Sequence, residues 1–181
     1  MKKLTHGDIL QQRLTVEDAL KTERHPVSLI VDNVRSLYNV GSIFRTADAA
    51  FLKELVLCGY TPHPPRIEIE KTALGAVDTV PWKYNSNTLD AVESFKNAGV
   101  KVLAVELTNS GKSYDELTRG DFPLALVIGN EITGINDEVL TACDGAIEIP
   151  MYGVKHSLNV SVATGIVLFE AVRKWRLVAG K

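Results

Sequence analysis

LALVIGNEITGI, residues 124 to 135, runs from an unbroken apolar strand into a glycine-marked mouth. The run Leu124-Ala-Leu-Val-Ile128 has no polar face, so protein must cover both of its sides. Gly129 reaches the end of the strand, where the lack of a Cβ lets a ligand touch the backbone. Asn130 and Glu131 follow at the mouth, and Gly134 turns the chain toward the next helix. Taken by itself, the string is equally an ordinary strand–turn–helix with a carboxylate favoured near a helix start.

On either side of this stretch, strands and helices alternate. Apolar strands are expected at Val27–Val31, Glu54–Leu57, Lys101–Leu107 and Ala146–Ile149, with a short one at Thr79–Trp82 broken by Pro81. Helices are expected at Val40–Phe51, at Thr88–Ala98 behind a cap at Asn87 or Thr88, and from Ser157-Leu158-Asn159 onward. Lys71–Gly75 reads as a helical turn and Thr61-Pro-His-Pro-Pro65 as an irregular loop, since proline blocks both ladder and helix. Near-continuous apolar strands spaced by helices call for an α/β fold, a mostly parallel sheet covered by helices on both faces. A chain of 181 residues is expected to be one domain, residues 27–181, behind a short N-terminal helical extension, residues 1–26. In that extension Leu10, Leu14, Val16 and Leu20 recur at roughly helical spacing, giving a partly exposed helix from Leu10 to His25.

Composition narrows the classes. A net charge of −2 gives no general pull toward nucleic acid, so any RNA contact must come from basic residues clustered by the fold. The candidates are Arg35, Arg45, Lys53, Arg66, Lys71, Lys83 and Lys155, each by default a solvated charge. Cys58 and Cys143 stand far apart with no C-x-x-C, so no metal site is expected, and buried free thiols suit a reducing compartment. MKKLTHGDIL has no apolar core behind its lysines, and the run Val160–Phe169 is too short to span a bilayer. A cytoplasmic protein without a membrane partner is the expectation.

Two further segments carry chemistry. In VDNVRSLYNVGSIFRTADAA, residues 31 to 50, a strand ends near Asp32 and a helix opens near Val40. Asn39 is expected at the helix cap and Arg45 about one and a half turns in, both facing a cleft above the strand ends. Singly, an asparagine cap and a surface arginine are common. IEIPMYGVKHSLNVSVATGIVLFEAVRKW, residues 147 to 175, reads as strand, Pro- and Gly-marked loop and long helix, whose N-terminus can hold a polar or anionic ligand. Ser161, Ala163, Thr164 and Gly165 keep one side of that helix thin, so another backbone can approach. His156 reads as a surface loop histidine.

These three segments, in this order, resemble the motifs of the SpoU (TrmH-type) RNA methyltransferases. The first is N-x-G-x-x-x-R, at Asn39, Gly41 and Arg45. The second is G-N-E-x-x-G, from Gly129 to Gly134. The third is P-M-x-G…S-L-N-V-S-V-A, from Pro150 to Ala163. Lys71-Thr-Ala-Leu-Gly-Ala76, with Val80-Pro81, also looks like a family segment, and the likeness spans most of residues 28 to 175.

The resemblance implies a C-terminal trefoil knot, against the general rule that chains do not thread loops. It implies S-adenosylmethionine held mainly by backbone groups, with contacts from Ile128, Gly129, Asn130, Ile149, Met151, Ser157, Leu158 and Val160. It implies methyl transfer to a ribose 2′-hydroxyl of RNA, with Arg45 engaging phosphate and the developing alkoxide. Asn39 would orient the ribose or Arg45, and Glu131, Ser157 and Asn159 would brace the pocket. It implies a homodimer whose cleft draws on both subunits, acting on tRNA slightly ahead of ribosomal RNA. The competing expectations are a non-catalytic RNA- or ribosome-binding protein of the same fold and a nucleotide-binding regulatory module. The chain has neither a G-x-G-x-x-G after its first strand nor a phosphate-binding G-K-[ST], which disfavours the latter.

Overall fold

The computed structural model describes residues 1–11 and 13–180. Seven strands form one sheet in the order β3-β2-β1-β6-β4-β7-β5. They are β1 (His25–Asp32), β2 (Leu52–Cys58), β3 (Trp82–Asn85), β4 (Lys101–Val105), β5 (Lys112–Ser113), β6 (Leu124–Ile128) and β7 (Gly145–Glu148). Every neighbouring pair is parallel, so all the strands end at one edge of the sheet. The helices are α1 (His6–Gln11), α2 (Val16–Lys21), α3 (Leu37–Ala49), α4 (Ile67–Ala73), α5 (Thr88–Asn97), α6 (Asp137–Ala142) and α7 (Val160–Ala179).

Alternation along the central strands feeds two cores. Leu29 and Val31 of β1 and Leu126 and Ile128 of β6 point into a large core with α3, α4 and α7, around the fully buried Phe44. Ile30, Ala125 and Val127 point to a smaller core with Val92 of α5 and Val139 of α6. Both faces are therefore buried, which is why these strands read as unbroken apolar runs. A side chain such as Phe44, removed wholly from water, contributes about 1.5–3 kcal/mol. At the strand ends the buried Asp32 carboxylate accepts hydrogen bonds from Thr88 Oγ1 at 2.5 Å and Asn33 Nδ2 at 2.9 Å, tying β1 to α5.

Several local expectations need correction. The single helix from Leu10 to His25 is instead α1 and α2, because Thr15 accepts from the Asp18 N–H and caps a fresh start. Only Ala19 of α2 is buried, and Leu10, Leu14, Val16 and Leu20 all lie in solvent. Helix α3 begins three residues early, at Leu37, because Ser36 caps it. Asn39 is therefore inside the first turn rather than at the cap. Helix α4 starts at Ile67, well before Lys71. The Thr79–Trp82 strand is β3, displaced to Trp82–Asn85, with the Thr79 and Val80 N–H groups both turned back onto Ala76 O and Pro81 only accepting, from Leu55 N–H. Gly134 turns the chain as expected, with φ +68°, and Asn136 caps α6, whereas the two-residue β5 lies in what reads as a polar loop.

Cys58 is buried but Cys143 only half-buried. Burial, then the nearby Asp32, pushes the Cys58 thiol up to about 12, and burial beside Asp144 pushes Cys143 up to about 11. Both stay protonated and weakly nucleophilic. On α7, Thr164 is buried with its hydroxyl on Val160 O, and the nearest neighbour to Gly165 is a Thr46 methyl. Among the described residues it is thus a side chain of α3, not a backbone, that comes nearest a Cβ placed at Gly165.

At Gly41, by contrast, α3 meets α4 with no room for a side chain. A Cβ there would lie 2.0 Å from Thr72 Oγ1 and 2.3 Å from the Ile69 carbonyl oxygen. Gly41→Ala should destabilise the fold by about 1–3 kcal/mol through overpacking, outweighing the gain of roughly 1 kcal/mol in helix propensity. An unchanged midpoint in equilibrium urea unfolding would contradict this.

Candidate functional site

The strand order reverses direction between β1 and β6, the place where open α/β sheets collect ligands. Here three segments remote in sequence are stitched together by side chains. Glu131, just beyond β6, accepts from the backbone N–H of Arg35 at 3.0 Å and of Ser36 at 3.2 Å, and from Asn39 Nδ2 at 3.0 Å. Its carboxylate thus sits at the N-terminal end of α3, where free N–H groups and the helix dipole favour negative charge. Asn39 Oδ1 in turn accepts from Asn159 Nδ2 at 3.2 Å. Asn159 spends its own oxygen on Ser161, accepting from its N–H at 2.9 Å and its hydroxyl at 2.7 Å, and so caps α7.

Partial burial is the largest single influence on Glu131 and would raise its carboxyl. The Arg35 N–H, the Asn39 amide, its own N–H and the Ser36 N–H together outweigh burial and hold it below the ordinary 4.5. Asn130 is buried and fully engaged. Its amide donates to Asn33 O at 2.9 Å and Tyr60 Oη at 2.8 Å, and its oxygen accepts from the N–H of Ile132 and Thr133. Its backbone N–H and carbonyl are paired with Gly134 as well, each at 3.0 Å, so Asn130 fixes the shape of the cavity wall.

Beside this network, a cavity of about 450 Å³ opens above the ends of β6, β4 and β7. Ile128, Gly129 and Asn130 line it from the first, Ile149 and Met151 from the loop after β7, and Ser157, Leu158 and Val160 from the run into α7. All eight residues expected to hold a cofactor are thus brought to one space. Of the residues given catalytic roles, Glu131 and Ser157 line it; Asn39 and Asn159 stand behind it. Arg45 does neither. It is exposed and lies seven residues beyond Tyr38, on the same stripe of α3 and about 10 Å along the axis.

Gly129 serves a different purpose from the one its sequence context suggests. A Cβ there would strike Gly134 C at 2.4 Å and Ile135 N at 2.5 Å, so its bareness admits the returning 130–135 loop rather than a ligand. His156 is exposed as expected but also lines the cavity. Sequence reading misses Glu106, at the end of β4. Its carboxylate accepts from Leu107 N–H at 3.0 Å and Ile135 N–H at 3.1 Å and faces the cavity. The available signal is a lone acid directly after an apolar strand. Among the described residues, Glu106, Glu131, Asp137 and Glu148 line the cavity and no lysine or arginine does. Such a lining suits a cationic, nucleoside-sized ligand better than a phosphorylated one. The volume falls in the range of small-molecule sites, roughly 300–1,000 Å³.

Comparison with known proteins gives the same picture from outside. A family profile described as the SpoU rRNA Methylase family matches residues 26–169. The chain is 34% identical over 168 residues to the tRNA (guanosine(18)-2′-O)-methyltransferase of Aquifex aeolicus, covering 92% of this chain and 78% of the relative. It is 34% identical over 173 residues to the 23S rRNA (guanosine-2′-O-)-methyltransferase RlmB of Vibrio parahaemolyticus, covering 96% of this chain and 66% of that protein. The crystal structure of the A. aeolicus TrmH/SpoU tRNA modifying enzyme superposes with a TM-score of 0.79 at 33% identity, over 92% of this chain and 87% of that one. An AdoMet-bound rRNA methyltransferase from Sinorhizobium meliloti superposes at 0.77 and 34% identity, over 83% and 57%.

The cap made by Glu131 gives a pH signature. Because its folded value is lowered, its contribution is present above about 4.5 and lost as pH falls through the folded value. Glu131→Gln should cost about 1 kcal/mol at neutral pH, the size of a lost helix cap. The gap between variant and parent should close in acid. Urea unfolding across pH checks this, and a gap constant with pH would refute the assignment.

Proposed function

This chain belongs to the SpoU methylase family, and from that premise we propose that it methylates a ribose 2′-hydroxyl of RNA with S-adenosylmethionine as methyl donor. The observation that carries the reading is the Glu131–Asn39–Asn159 network standing against an acid-lined cavity at the sheet's carboxyl edge. Bound in that cavity, S-adenosylmethionine supplies an electrophilic methyl group on a cationic sulfur. The carboxylates of Glu106, Glu131, Asp137 and Glu148 favour that charge. The backbone of Ile128, Gly129, Asn130, Ile149, Met151, Leu158 and Val160 supplies shape and hydrogen bonds, with the Ser157 hydroxyl at the rim.

The chain's own groups have two tasks. A ribose hydroxyl is a weak acid, so it must be placed in line and its developing negative charge met. Asn39 is fixed on both sides by Glu131 and Asn159, which leaves it little rotational freedom beside the incoming ribose. Arg45 is the cation for the phosphate and the developing alkoxide. It acts by charge rather than as a base, because a guanidinium keeps its proton.

Arg45 does not line its own chain's cavity, so a second copy is proposed to bring it there. Val162 and Phe169, each 52% exposed on α7, are the apolar surface for that homodimer seam. The C-terminal trefoil knot belongs to the same reading. What supports it is β7 lying between β4 and β5, with α7 packed on the 114–116 and 119–121 turns of the connection that β7 must pass. We place tRNA ahead of ribosomal RNA on the likeness of the 39–45 and 150–163 segments to tRNA-acting members. Among the described residues no helix is long and apolar enough to cross a membrane, and we place the protein in the cytoplasm.

Purified protein incubated with radiolabelled S-adenosylmethionine and unmodified tRNA or rRNA should yield a 2′-O-methylnucleoside on nuclease digestion. No such product from either RNA would sink the proposal. Arg45→Ala should lower kcat by about 10²–10³ while leaving S-adenosylmethionine affinity in calorimetry unchanged, as expected for a group aimed at developing charge.

A further inference from the structure

An aromatic ladder climbs out of the large core toward this same edge of the sheet. Phe44, fully buried, meets Trp82 edge-on with centroids 5.9 Å apart. Trp82 stacks on His63 at 6.4 Å, and His63 lies against Tyr84 at 4.7 Å. The last two rings reach solvent, Tyr84 with 44% of its surface exposed. Tyr60, on the same loop as His63, is 60% exposed. Burial explains the inner rungs of this ladder and leaves its outer end unexplained.

The exposed rings are nevertheless held in place. Tyr84 Oη donates to Gly59 O at 2.7 Å, and Tyr60 Oη accepts from Asn130 Nδ2 at 2.8 Å. Tyr60 N–H also donates to Asn33 Oδ1 at 3.0 Å. Their polar tips are tied inward while their faces stay wet. A surface so fixed binds a flat partner with little further loss of side-chain entropy. It is also continuous with the cavity, since Asn130 both grips Tyr60 and lines that space. The exposed arginines nearest in the chain are Arg35, two residues past Asn33, and Arg66, which opens α4 directly after the loop.

Aromatic faces flanked by arginines are how proteins take unpaired bases of RNA, by stacking with phosphates neutralised alongside. We propose that Tyr60, His63 and Tyr84 form a stacking platform for an unpaired base of the RNA substrate, next to the nucleotide that is methylated. The proposal rests on the RNA-methylating reading above. It adds that the target lies in a loop or other unpaired segment, because a base inside a duplex cannot present its face.

The test uses the full chain and in vitro transcribed, unmodified tRNA. Tyr60→Leu and Tyr84→Leu should each weaken RNA binding by about tenfold, the scale of one lost stacking partner, and raise KM for RNA with kcat little changed. Tyr84→Phe, which keeps the ring and loses the bond to Gly59, should retain most of the affinity. S-adenosylmethionine binding should be unchanged throughout. Transcripts carrying 4-thiouridine, irradiated with the unaltered protein, should crosslink to the peptides holding Tyr60 or Tyr84, a readout that needs no variant.

If the unaltered protein methylates RNA while both leucine variants bind RNA normally and no such crosslink forms, the platform is wrong and the methyltransferase reading stands. If the leucine variants instead change the mass measured by light scattering, the rings form a seam between copies and the platform is equally overturned. If the unaltered protein binds no S-adenosylmethionine and methylates no RNA, the functional reading fails first.

Discussion

The side-chain amide of Asn39 is the joint between the two halves of the site. It donates to Glu131 and accepts from Asn159, partners 92 and 120 residues away. One belongs to the loop leaving β6 and the other caps α7. Since an amide has fixed donor and acceptor ends, swapping it for a carboxylate or a methyl breaks one side or both. Without that joint, the wall of the cavity formed by the run into α7 would be tied to the α3 side by packing alone.

Glu131 gives the joint its footing. A carboxylate partly withdrawn from water is costly unless its oxygens are satisfied, and here two backbone N–H groups and one amide satisfy them. The same contacts complete the N-terminal turn of α3, so the helix cap and the tie between α3 and the loop after β6 are one structure. Asn130 does similar work one residue earlier, holding the strands' loops together with every hydrogen-bonding atom occupied. Rigid surroundings of this kind are needed where a methyl group and a hydroxyl must meet within a fraction of an ångström.

Much of this was legible in the chain. LALVI and its neighbours announced a buried parallel sheet because their alternate residues feed two different cores. The eight cavity-lining residues expected to hold a cofactor stood in strings recognisable by kind. What sequence could not show was direction. Asn39 reads as a helix cap, yet Ser36 takes that place and frees the amide for its bridging role. Gly129 reads as room for a ligand, yet that room is taken by the chain's own return at Gly134 and Ile135. The N-terminal leucines have helical spacing, but spacing says nothing of whether a partner face exists, and these side chains stand in solvent. Glu106 escaped notice because a single acid after a strand has no pattern to belong to.

The position of β7 has a further consequence, for how the protein is made. It is the last strand in sequence, yet it lies inside the sheet, between β4 and β5. While the chain is leaving the ribosome, everything through residue 143 can exist before this strand does. During that interval β4 presents a bare row of peptide groups and β5 has no neighbour to pair with. The β7 share of the cavity is thus added after β4 and β6 are in place, and a chain stopped before residue 149 lacks Ile149, Met151 and the run into α7 that complete the lining.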